Sequence, residues 1–221
     1  WFLLDLSGSM DFGTAEQTKR KVMMVFVAVM AKLLMRRGNR IGALILSPTD
    51  AAGFKYIPGR MGRRHLLHLL HVLETTPASQ QPHQTRLSEW FARANSMLKR
   101  RSCVFVVSDF MGAFDWAPQL SALGRRHDII AARLYDPAEM KLPNAGLTLL
   151  QDSETSEQLL LDTADAKFRT RYARLVEERE QQLATTFAQA GVDALELSTG
   201  EDIASALLRF SELRKRRLWR A

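Results

Sequence analysis

Trp1-Phe2-Leu3-Leu4-Asp5-Leu6-Ser7-Gly8-Ser9-Met10 decides the fold class. The apolar run reads as a strand buried on both faces, and such strands belong to mostly parallel sheets covered by helices. The run ends in Asp5, followed by a D-x-S-x-S pattern. Spacing of two in an extended segment puts Asp5, Ser7 and Ser9 on one side, and Gly8 lets the backbone turn between the serines. In open α/β sheets, ligands bind beyond the carboxyl ends of the central strands. The acid and the two hydroxyls sit where such a site is expected.

A second run, Ser102 to Ser108 (SCVFVVS), also has an apolar centre and leads into Asp109. Between these runs, Gln17 to Arg37 reads as a long helix stopped by Gly38 and Asn39. Arg40 to Leu46 and Phe54 to Ile57 read as an antiparallel strand pair, with Pro58-Gly59 ending the second. Met61 to Leu73 and Leu87 to Leu98 read as helices around a polar loop, Thr75 to Gln84. Further along, Trp116 to Leu123 is a short helix, and Asp128 to Tyr135 is a strand stopped by Asp136-Pro137. Leu147 to Gln151 and Gln158 to Asp162 form a hairpin. Asp165 to Ala190 is a long amphipathic helix in which Phe168, Tyr172, Leu175, Leu183 and Phe187 share a face, and Gly191 stops it. Val192 to Leu197 and Glu201 to Leu213 supply a last strand and helix. Alternating strands and helices imply a mostly parallel α/β sheet with helices on both faces, one antiparallel edge strand near Phe54–Ile57, and the 147–162 hairpin set on the opposite side.

Asp5, Ser7, Ser9, Asp109 and Thr85 in the loop before a helix make two carboxylates and three hydroxyls. Hard divalent cations take oxygen ligands of these kinds. Asp5-Leu6-Ser7-Gly8-Ser9-Met10 after a strand, the loop Thr85, and Val106-Val107-Ser108-Asp109-Phe110 after another strand resemble the metal-ion-dependent adhesion site of von Willebrand factor A domains. Arg40-Ile41-Gly42, Tyr56-Ile57-Pro58-Gly59-Arg60, Arg126-His127-Asp128, Tyr135-Asp136-Pro137 and Glu196-Leu197-Ser198-Thr199 carry the likeness along the chain. They resemble the bacterial MoxR-associated von Willebrand A family, also called domain of unknown function 58.

The resemblance implies a von Willebrand A-like domain over residues 1–213, followed by a basic tail over 214–221. It further implies a non-enzymatic protein-interaction module in the bacterial cytoplasm, partnered with a MoxR-type AAA+ ATPase in chaperone-like assembly or cofactor insertion. Ser7, Ser9 and Thr85 would be hydroxyl ligands of Mg²⁺, with Mn²⁺ or Ca²⁺ as alternatives; Asp5 and Asp109 would act directly or through water. Neutral hydroxyl ligands leave the ion under-compensated, so it attracts an acidic side chain from a partner or client. The family loop reads Gly-Gly-Thr-Asp where this chain has His83-Gln84-Thr85-Arg86, a departure that bears on loop geometry and metal affinity.

The same residues admit rival readings. Ser9 or Asp11 could simply cap a helix entry. A haloacid-dehalogenase-type phosphohydrolase would use Asp5 as nucleophile, but needs a second Asp, as proton donor, where Ser7 stands. His65, His68 and His71 suggest zinc, yet spacing of three rotates His71 about 120° from His65 on a helix. A solvated histidine face beside a buried face of Leu66, Leu67, Leu69, Leu70 and Leu73 is the better reading. Arg60, Arg63 and Arg64 read as a solvated helix start, or else as a basic patch near the docking face. Cys103 reads as a buried small hydrophobe.

Composition closes off other classes. The chain has 221 residues, 46% of them hydrophobic and 25% charged, as in globular proteins rather than disordered ones. One cysteine allows no internal disulfide and fits a reducing compartment. The most apolar stretch, Val22 to Ala31, is too short to span a bilayer. The start, without Met and inside a strand, suggests a piece of a longer protein. Five of the seven net positive charges lie between Arg214 and Ala221. That tail could bind nucleic acid, but it has Trp219 as its only aromatic and no recognition motif; a solvated helix end is favoured.

Overall fold

β1 (Phe2–Asp5) is buried at all four residues and lies at the centre of the sheet. The computed structural model describes residues 1–14, 17–47, 53–77, 87–151 and 158–218. β1 pairs in parallel with β2 (Ile41–Leu46) on one side and β4 (Cys103–Ser108) on the other. β5 (Asp128–Tyr135) and β8 (Asp193–Ser198) extend the parallel array, and β3 (Phe54–Arg60) closes the far edge antiparallel to β2. The order is β3-β2-β1-β4-β5-β8.

Alternation along β1 divides the core. Phe2 and Leu4 face one apolar layer with Phe26, Leu69 and Ala206. These come from α1 (Lys19–Arg36), α2 (Arg63–Thr75) and α7 (Ile203–Leu218). Leu3 faces the other layer with Trp90, Leu120 and Leu183. These belong to α3 (Leu87–Met97), α4 (Ala117–Gly124) and α6 (Ala166–Ala190). The sheet is thus covered on both faces, as the apolar runs require.

Several elements differ from the sequence reading. β3 continues through Pro58-Gly59 to Arg60. An edge strand tolerates a residue without an N–H, and the pairing with β2 is irregular between Ile41 and Ala43. Gly42 is required there, since a Cβ would fall 2.5 Å from the Trp1 ring. Asp136-Pro137 does not merely stop β5. It opens a one-turn helix, α5 (Pro137–Met140), through a capping box with Glu139. Leu67 and Leu175, assigned to buried faces, are 53% and 54% exposed. Gly191 does end α6, in the left-handed conformation.

The hairpin β6 (Leu147–Gln151) and β7 (Gln158–Asp162) is a separate two-stranded sheet. Its base closes where the Thr163 N–H donates to the Gly146 carbonyl. It springs from the chain between α5 and α6, after β5, and so from the half of the sheet away from the antiparallel edge strand β3. α7 runs to Leu218, and Arg214 pairs with Asp128 and Asp193. No helix among the described residues is long and apolar enough to cross a membrane.

Candidate metal and docking site

At the carboxyl edge of β1, the chain stays extended through Ser7 and then tightens into a 3-10 turn, Gly8–Asp11. Ser9 therefore reaches Ser7 through this turn, not through strand alternation. The two hydroxyl oxygens lie 3.2 Å apart and are hydrogen-bonded to each other. Neither serine side chain caps a helix. Ser7 precedes the 3-10 turn without a side-chain capping bond to its backbone, and the cap of α1 is Thr18. The helix-entry reading of Ser9 and Asp11 therefore fails. Asp11 instead faces Arg20 at 3.5 Å.

Asp5 is 1% exposed. One of its oxygens accepts the Ser7 N–H at 2.9 Å, and the other accepts the Ser108 hydroxyl at 2.7 Å. Burial, reinforced by the charge of Asp109, raises its pKa to about 6 against the hydrogen bonds from Ser108 and Ser7. Ser108 links the two central strands: its oxygen also accepts the Phe110 N–H at 2.9 Å. Phe110 has φ 53°, a left-handed conformation that disfavours a bulky side chain. It is fixed by Trp116 and Phe187 around its ring and by Arg179, which donates to its carbonyl. This bend sets the direction of Asp109, whose Oδ1 accepts the Met111 N–H at 3.1 Å.

The other oxygen of Asp109 holds an element that sequence reasoning missed. Lys19 Nζ lies 2.8 Å from Asp109 Oδ2 and 2.7 Å from Glu139 Oε1, with the lysine side chain fully buried. Burial alone would favour the neutral amine, but the two carboxylates outweigh it and the Lys19 pKa is raised. Lys19 is thus an internal ammonium beside Asp109. Glu139 Oε2 in turn accepts the Asp136 N–H at 2.9 Å.

Asp136 is a second unforeseen centre. It is fully buried and accepts from the Thr14 hydroxyl and N–H, the Thr199 hydroxyl and the Ala138 N–H. Burial opposes its ionisation, but the bonds from Thr14, Thr199 and Ala138 prevail and lower its pKa to about 2. Asp136 ties the segments after β1, β5 and β8 together at the site edge.

Ser7, Ser9, Asp5 and Asp109 are therefore brought to one edge. Thr85 and its loop, His83-Gln84-Thr85-Arg86, lie outside the described residues. Adjacent oxygens on an octahedral Mg²⁺ with bonds of 2.0–2.1 Å are about 2.9 Å apart. The serine pair matches that spacing to a few tenths of an ångström. The carboxylates already accept hydrogen bonds, which suits them to act behind the hydroxyls.

The remaining candidates lie elsewhere. His65 is buried, with Nε2 2.7 Å from the Ile41 carbonyl oxygen, so it is not part of a solvated face; His68 and His71 are exposed. Cys103 is half-buried at the start of β4, and burial with Asp128 nearby raises its thiol pKa. Arg63 sits at the start of α2, at the sheet's other end from Asp5, and not beside the site.

A family model described as "Protein of unknown function DUF58" matches residues 1–182. The chain belongs to the DUF58 family. An uncharacterized protein of Mycobacterium tuberculosis is 31% identical over 98% of this DUF58 chain, which covers 67% of that relative's length. An uncharacterized protein of Mycobacterium bovis matches with the same figures. Among solved structures, the conserved hypothetical protein BatB from Bacteroides thetaiotaomicron is similar in fold. Its TM-score is 0.57 at 12% identity, over 97% of this chain and 96% of BatB. The SpRpn10 VWA domain aligns with TM-score 0.51 at 11% identity, over 94% of this chain and 91% of that one. The DUF58 chain thus has the von Willebrand A-like fold that its D-x-S-x-S strand implied.

Proposed function

We propose that this DUF58 domain is a non-enzymatic protein-docking module that uses a divalent cation. Ser7 and Ser9, with Thr85 from the polar stretch before Leu87, would hold Mg²⁺, or Mn²⁺ or Ca²⁺ in its place. Asp5 and Asp109 would act behind them. The observation that carries the reading is the Ser7–Ser9 hydroxyl pair, 3.2 Å apart beside buried Asp5 at the carboxyl edge of the central strand. The cation would supply a Lewis-acidic position for an acidic side chain of the partner. Lys19 pairs with Asp109 and so keeps that carboxylate oriented behind the hydroxyls.

The partner in this reading is a MoxR-type AAA+ ATPase or its client, in chaperone-like assembly or cofactor insertion in the bacterial cytoplasm. A phosphohydrolase reading is weaker. Asp5 has both oxygens engaged by Ser7 and Ser108, and a serine stands where the proton donor is required. Mg²⁺-dependent phosphatase turnover lost on Asp5→Asn would replace the docking reading with that one.

The test is capture of a MoxR-type ATPase by wild type and by Ser7→Ala/Ser9→Ala, with Mg²⁺ and with chelator. Capture by wild type in Mg²⁺ alone is expected. Equal capture in all four conditions would remove the cation from the mechanism.

A further inference from the structure

Behind the sheet's other end, α1 and α2 leave a groove of about 850 Å³ between them. Met35, Met61, Leu67 and Leu70 supply its apolar lining, and Met61 and Leu67 are each 53% exposed. Lys32, Arg36 and Arg63 supply its charge, with no acidic residue among the lining. α1 also exposes Val25, Val29 and Leu33 at spacing of four, outside the groove lining.

The charge is regional. Residues 19–76 contain eleven Lys and Arg but two acidic residues, Asp50 and Glu74. α1 has no Asp or Glu, and α2 has Glu74 alone, in its last turn. The small net charge of residues 1–213 conceals this imbalance, because acids elsewhere cancel it. Buried Lys19 is already neutralised by Asp109 and Glu139, whereas Lys32, Arg36 and Arg63 face the groove.

We infer that this groove docks an acidic amphipathic helix of a partner protein. An apolar floor between two helices accepts side chains at helical spacing. Basic groups beside it select a helix whose apolar stripe is flanked by Asp or Glu, and like charge rejects a basic one. The concavity argues against a bilayer, whose surface does not enter a groove between helices. The apolar floor argues against nucleic acid, whose binding relies on phosphate contacts and base stacking. This surface is separate from the cation site and does not depend on that reading, since it lies at the opposite end of α1.

The test is selection against a displayed library of amphipathic helical peptides, with a charge-reversed library in parallel. The best peptide is then titrated by fluorescence anisotropy into wild type, Leu67→Glu and Arg36→Glu/Arg63→Glu, in Mg²⁺ and in chelator. Enrichment of acidic amphipathic sequences is expected. Their affinity should fall about tenfold or more in each variant and be the same in Mg²⁺ and chelator. Far-ultraviolet circular dichroism checks that the variants fold. No enrichment over the charge-reversed library, or equal affinity for all three proteins, would overturn the proposal, as would chelator sensitivity. Phosphatidylserine vesicles bound by wild type and lost in the variants, without peptide binding, would assign the surface to a membrane instead. A wild-type dimer dissociated by Leu67→Glu in sedimentation velocity would assign it to self-association.

Discussion

The two ends of helix α1 put similar cations to opposite uses. At its start, Lys19 is fully buried and held by Asp109 and Glu139. About 20 Å further along, at 1.5 Å per residue, Lys32 and Arg36 line an open groove that has no acid. The first cation organises the edge that carries the D-x-S-x-S segment; the second pair leaves surplus charge for a partner. Residue type does not decide which. Lys19 is drawn inward because the strand ends of an α/β sheet collect carboxylates, here Asp5, Asp109 and Glu139. An unpaired buried carboxylate is costly.

The largest expected contrast comes from removing each cation. Lys19→Met leaves Asp109 buried without its ion pair and should cost about 3–5 kcal/mol in urea unfolding at pH 7. Lys32→Met should change stability by no more than about 0.5 kcal/mol. Similar costs for both would break the comparison.

Acid comes next. The pKa of Asp136 is lowered to about 2, so the folded state favours its ionised form. Its stabilisation is fully present above the ordinary carboxylate range and is lost as pH falls from about 4 toward about 2. Thermal melts of wild type should show this loss on the order of 2 kcal/mol. Asp136→Asn should start less stable and lack that part of the acid dependence; parallel acid profiles would contradict the role given to Asp136.

Ser108→Ala removes the hydroxyl shared by Asp5 and the Phe110 N–H, and should cost about 1–3 kcal/mol. Ser7→Ala/Ser9→Ala should cost less than any other change at this edge, under about 1 kcal/mol, because both members of one hydrogen-bonded pair are removed together. On the proposed reading that pair serves a ligand more than stability, so a large loss in urea unfolding would count against the distinction.

Most of the fold was legible because its signals are local. The buried runs at Phe2–Asp5 and Cys103–Ser108 announce central strands, and Gly191 stops α6 as its backbone freedom allows. α5 was missed because Asp136-Pro137 reads equally well as a strand stop and as a cap followed by proline at the first helical position. β3 was cut short because proline disrupts central strands but not edge strands.

Within the site, Asp5, Ser7, Ser9 and Asp109 stand in motifs that a reader can find. Lys19 does not, since its partners lie 90 and 120 residues away and a lysine opening a helix ordinarily faces solvent. The groove was hidden by arithmetic: a net charge summed over most of the chain erased a basic region and an acidic remainder.

Calorimetric titration of metal-free protein with Mg²⁺, comparing wild type with Ser7→Ala/Ser9→Ala, tests the central claim most directly. The account predicts saturable binding at one site in wild type and its loss in a variant whose fold is unchanged. Equal binding by both proteins, or no binding of Mg²⁺, Mn²⁺ or Ca²⁺ to wild type, would contradict it.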